Sequence, residues 1–173
     1  DIKLEIITEN GFVDIVAGRY DAGVRLGEQL AKDMIAVRIG PDWRMAIVGT
    51  PNYFSGRALP VSPSDLTEHT CINLRLPTLR SFYAWEFEQD GKRVEVRVDG
   101  QLAFSSSATI LSAAMSSAGL ACIPEDLAQP HIETGTLIRV LTSWMPTFDG
   151  YHLYYPSRRH ATPAFSRLIE ALR

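Results

Sequence analysis

The stretch AFSSSATILSAAMSSAGLACIPEDL, residues 103–127, admits few folds. A short apolar strand stops at three serines. Leu111, Ala114, Met115 and Ala118 then recur at helical spacing, and Gly119 ends the helix. LACI follows without a polar residue, the pattern of a strand buried on both faces. Pro124 with Glu125 and Asp126 opens a further helix, its acids in the first turn where the helix dipole favours them. Strand, helix, strand and helix in one short span make a crossover unit, which places the chain in the α/β class.

The remainder extends this pattern. Ile2, Leu4 and Ile6 share one face of an opening strand. Asn10 caps a short helix with Phe12, Val13 and Val16 inward and Gly18 at its end. GVRLG is the next strand, so the first sheet is expected to be parallel and covered by helices. Ile35, Val37 and Ile39 alternate, GPDW turns, and RMAIVG returns. Thr50 caps a helix with Pro51 at its first position. Residues 56–70 connect with short helical pieces, and CINL is a brief strand. The alternation in YAWEFEQDGKRVEVRV around Asp90-Gly91 is a tight antiparallel hairpin. TLIRVL is another strand. The chain closes with the aromatic strand YHLYYP, the polar turn SRRHATP, and a helix with Phe165, Leu168, Ile169 and Leu172 on one side. Arg158, Arg159 and His160 fall in the turn and read as a solvated loop rather than a nucleic-acid contact. A net charge of −3 argues the same way.

Motifs for catalysis are missing from the sequence. There is no Gly-rich phosphate loop and no G-x-S-x-G elbow. His69, His131, His152 and His160 lack metal-ligand spacing. Glu125 and Asp126 are better explained as a helix start than as an acid–base pair. Cys71 and Cys122 lie in apolar settings and read as reduced, buried thiols. No apolar run reaches the length of a membrane span, and no signal peptide opens the sequence. We therefore assign no catalytic residue, metal or cofactor. Two features point to a ligand. Ser105, Ser106 and Ser107 stand where a strand becomes a helix and form either an anion site or plain N-caps. Arg25 is the one cation in GVRLG and points either at a ligand carboxylate or to solvent. Tyr83 and Trp85 line either a pocket or the core, and Trp85 is assigned to the core.

The ordered series FVDIVAGRYDAGVRLG, VGTPNYF, PSDLTEHTCINLR, AWEFEQDGK, SSSATILSAAMSSAGLACIPEDL and GYHLYYPSRRHATPAFSRLIEALR spans nearly the whole chain. It resembles the effector-binding domain of LysR-type transcriptional regulators. The resemblance implies an α/β, two-lobed fold of the type 2 periplasmic-binding-protein kind with two crossovers. Lobe one would comprise residues 1–73 plus 150–173, and lobe two residues 74–149. A small effector, expected to be a carboxylate, would sit in the crevice outside the carboxyl ends of the strands. The residues implied are Arg25, Leu26, Gly27, Thr50, Ser105, Ser106, Ser107 and Pro124. The family's N-terminal winged helix-turn-helix, linker helix, and first strand and helix of lobe one are absent from this sequence. DNA binding would need that missing domain, and the chain is expected to be a piece of a longer regulator. IKLEII as an edge strand and the small residues of the 107–118 helix suit a cytoplasmic homodimer, tetrameric in the full-length protein. A solute-binding protein or an enzyme on the same fold stays open at this point.

Overall fold

The computed structural model describes residues 3–8, 13–26, 34–76, 81–156 and 162–172. Its strands are β1 (Gly23–Leu26), β2 (Met34–Arg38), β3 (Trp43–Gly49), β4 (Cys71–Leu76), β5 (Ser81–Phe82), β6 (Trp85–Gln89), β7 (Lys92–Val96), β8 (Ala103–Phe104), β9 (Leu120–Pro124), β10 (Ile138–Val140), β11 (Thr147–Phe148) and β12 (Tyr151–Pro156). Its α-helices are α1 (Pro51–Phe54), α2 (Ser107–Met115), α3 (Glu125–Glu133) and α4 (Pro163–Leu172). By internal contacts the chain divides into two compact units, Asp1–Trp43 with Thr147–Arg173, and Arg44–Pro146.

In the first unit the sheet order is β1-β12-β2, and both pairings are antiparallel. The expected parallel sheet is not formed, because the closing aromatic strand lies between β1 and β2 and runs against both. Leu153 stands level with Val24 on one side and Val37 on the other. Leu153 and Val37 are buried, whereas Val24 on the outer strand is 50% exposed. Among the described residues, the strand expected at the start of the chain is also not formed. Residues 3–8 have no regular structure, and Leu4, Ile6 and Ile7 are exposed. Alternation alone does not make a strand; its backbone groups need a ladder partner.

The helix expected to follow is a single turn. Asp14 caps it, its Oδ1 accepting the N–H groups of Val16 (2.9 Å) and Ala17 (3.0 Å). Arg19, at φ 56°, takes the left-handed position assigned to Gly18. Ile15 is the buried residue of this turn, and Val16 faces outward. Asn10 and Phe12 lie outside the described residues, as do Ile2, Arg158, Arg159 and His160. At the other end, Thr162 Oγ1 accepts the Phe165 N–H and opens α4, and the Phe165 ring stacks edge-on against Tyr155 at 5.0 Å.

The second unit is built on the sheet β10-β3-β9-β4-β5, with β8 added to β4. β8 and β9 run parallel to β4, while β3 runs against β9. Alternation puts Ala46, Val48, Ile72, Ala121 and Ile123 on one face, where they form a core with Ile110, Ala114, Ala128 and Leu137 from the α2 and α3 side. Met45, Ile47, Cys71, Leu120 and Cys122 lie on the opposite face and are equally buried. The predicted hairpin is β6–β7, with Trp85 level with Val96 and Phe87 with Val94. Asp90 and Gly91 both have positive φ, at 51° and 73°, as a two-residue turn of this hand requires. β3 and β4 are strands of this sheet, so residues 44–73 pack with the second unit.

Candidate functional site

Because β4, β8 and β9 are parallel, their carboxyl ends share one edge of the sheet. Leu74 is level with Phe104, the last residue of β8, and Arg75 follows Leu74 on β4. The chain then turns through Ser105 and Ser106 into α2. Ser106 occupies the N-cap position with extended backbone (φ −133°, ψ 129°), and its side chain makes no capping hydrogen bond. Ser105 is exposed, and Ser106 and Ser107 are half-buried. The first N–H groups of a helix have no intrahelical acceptor. Backbone donors and hydroxyls thus meet at this edge, a combination suited to an anion, and Arg75 lies at the end of the neighbouring β4. The Arg75 guanidinium lies over the Phe82 ring at 4.9 Å.

Pro124 ends β9 at the same edge and leads into α3. Arg139 of β10 donates from Nη1 to Glu125 Oε1 there. Its Nε and Nη2 are buried and have no hydrogen-bond partner among the described residues.

Thr50 is elsewhere. β3 runs against β9, so its carboxyl end falls at the opposite edge of the sheet. Thr50 Oγ1 accepts the Tyr53 N–H (3.1 Å) and lies 2.7 Å from Ser117 Oγ. Arg25 and Leu26 belong to the first unit, on β1. Arg25 Nη2 donates to the Val13 carbonyl at 3.3 Å, and its guanidinium stands 5.5 Å from the Tyr154 ring centroid. Gly27 lies outside the described residues.

The Thr50 edge carries a buried polar network. His69, at 9% exposure, packs against the Tyr53 and Phe54 rings, with Nδ1 3.2 Å from the Tyr53 hydroxyl. That hydroxyl accepts the Thr70 N–H at 3.0 Å. Burial, with Arg57 nearby, holds the His69 pKa below its ordinary value. Burial, with a smaller contribution from Asp99, pushes the Cys71 thiol up to about 12, and burial raises Cys122 further. Both are therefore thiols at neutral pH, poor nucleophiles and poor redox sensors. Tyr83 donates to Glu86 Oε1 at 2.9 Å; its pKa is strongly raised by burial, then by the nearby Cys122 and Glu86.

The pattern of the LysR substrate binding domain matches residues 1–173. The chain belongs to that family. Among LysR-type relatives, a putative transcriptional regulator of Pseudomonas aeruginosa is 53% identical over all of this chain and 56% of its own length. The HTH-type transcriptional regulator PgrR of Escherichia coli is 47% identical over the whole chain and 58% of its own. The chain thus spans little more than half the length of these relatives. Full-length AphB of Vibrio cholerae shares the fold at TM-score 0.80 and 24% identity, covering 99% of this chain and 57% of AphB. CrgA of Neisseria meningitidis does so at TM-score 0.80 and 22% identity, covering 98% of this chain and 58% of CrgA. The fold is that of a LysR regulatory domain, and the family and these relatives are transcriptional regulators.

Arg75, Arg139 and Ser117 were missed in the sequence. Arg139 in LIRVL carries the signal that singled out Arg25 in GVRLG, a lone cation in an apolar strand. Arg75 becomes notable only through the pairing of β4 with β8.

Proposed function

We propose that this LysR domain binds a small anionic effector at the serine turn and reports its occupancy to a DNA-binding segment in the length of its relatives that this chain does not cover. The observation that carries the reading is the juxtaposition at the carboxyl edge of β4, β8 and β9. Ser106 makes no capping bond, the first turn of α2 offers its N–H groups, and β4, whose end carries Arg75, pairs with β8 just before the serines. Ser105, Ser106, Ser107 and Pro124 are the effector contacts of the second unit, with Arg75 added. Arg25, Leu26 and Gly27 are carried forward as contacts in the first unit. A transport or catalytic role on this fold is less favoured, since the relatives are named as transcriptional regulators.

Thermal-shift screening with small mono- and dicarboxylates tests the reading. A ligand at a hundred times its Kd stabilises by roughly 2.7 kcal/mol. At least one acid is expected to shift the transition, and Arg75→Ala and Arg25→Ala are each expected to weaken that shift. No shift with any acid, or shifts indifferent to both substitutions, argues against it. The domain is further proposed to act in the cytoplasm as a two-fold homodimer. Light scattering that finds only monomer over a wide concentration range counts against the dimer.

A further inference from the structure

The turn that ends α2 carries a serine where its backbone favours glycine. The Ser117 N–H donates to the Ala114 carbonyl (2.8 Å) and the Ala118 N–H to the Ala113 carbonyl (3.2 Å). This is the paired closure of a helix end whose next residue is left-handed, and Ser117 stands there at φ 62°. A residue with a Cβ disfavours that conformation by roughly fivefold or more in equilibrium relative to glycine. The Ser117 hydroxyl supplies what glycine lacks. Its Oγ lies 2.7 Å from Thr50 Oγ1 and accepts from Asn52 Nδ2 at 3.2 Å. Thr50 Oγ1 also accepts the Tyr53 N–H, so one chain of hydrogen bonds runs from the end of α2 into the first turn of α1.

We propose that Ser117 is a latch that couples α2 to α1. The near end of α2 is the serine turn and the far end is Ser117, at opposite edges of the same sheet. A rigid helix of nine residues joins them. Displacement at Ser105–Ser107 is then felt at Thr50, Asn52 and the Tyr53–His69 network. The proposal rests on the effector reading only for what moves α2 in use; the coupling itself does not depend on it.

The test needs no effector. Ser117→Gly keeps the left-handed backbone and removes the hydroxyl. The urea midpoint is expected to fall. A rise, as the roughly fivefold backbone advantage of glycine alone would give, overturns the proposal. Amide exchange then reads the coupling. Ser107→Gly loosens the first turn of α2, and the Tyr53 N–H is expected to exchange several-fold faster in consequence. In the Ser117→Gly background the same change is expected to leave Tyr53 unaltered. Exchange at Tyr53 that ignores α2 in both backgrounds, or follows it equally in both, contradicts the latch. A failed search for an effector leaves these outcomes readable.

Discussion

His69 is a polar side chain buried in the second unit, and its burial contributes to how the domain responds to acid. Tyr53 holds its Nδ1, the Tyr53 and Phe54 rings pack against it, and Arg57, Asp65 and Glu68 supply the nearby charges. Burial favours the neutral ring in the folded protein, whereas the unfolded chain takes its proton at the ordinary 6.5. Below that value the unfolded state binds more protons, so stability falls as pH drops towards the lowered folded pKa. Urea midpoints measured from about pH 7.5 to about pH 5 are expected to decline, and His69→Gln to flatten that profile. An unchanged slope contradicts this account. Asp65 acts at lower pH. The N–H groups of Val61 and Ser62 hold its carboxyl below the usual range, and that contribution is lost only as pH falls through its lowered value. At this scale the sequence was informative about local chemistry and silent about place. Thr50 is the N-cap its Thr-Pro dipeptide implies, but only strand direction puts it across the sheet from the serines.

Among the elements, α2 was the most legible, since its period is local. Ile110 and Ala114 face the sheet and are fully buried. Ile110→Ala should cost about 2–5 kcal/mol in chemical denaturation, and a loss under 1 kcal/mol would show that the cluster relaxes around it. The hairpin was legible for the same reason, because Asp-Gly demands two left-handed residues. The first sheet was not. Which strand lies beside β1 depends on a segment more than a hundred residues away, and no local pattern in GVRLG selects it. Gly100 is a further case. The backbone at Asp99-Gly100 lies against β4. The Cys71 N–H donates to the Asp99 carbonyl at 2.8 Å, and a Cβ on Gly100 would stand 1.8 Å from the Cys71 oxygen. Gly100→Ala is therefore expected to destabilise by about 3 kcal/mol or more, since backbone rather than a flexible side chain must move. A near-neutral urea midpoint would show that this register is not rigid.

At the scale of the molecule, the two units differ in how well their apolar residues are covered. The second has a core on both faces of its sheet. In the first, Leu4, Ile6, Ile7 and Val24 are at least half exposed, and no strand among the described residues pairs with the outer edge of β1. A protein of the relatives' full length is expected to slow amide exchange across Gly23–Leu26. Unchanged exchange there would mean that this edge is exposed in the longer protein too. The central claim is that the serine turn of the second unit receives a small acid. Its most direct test is hydrogen–deuterium exchange with and without the carboxylate that most raises the melting temperature. The account predicts protection concentrated at residues 105–110 and around Pro124, abolished in a variant with Ser105, Ser106 and Ser107 all replaced by proline-free apolar residues and Arg75 by alanine. Protection that lies elsewhere, or that survives in that variant, contradicts it.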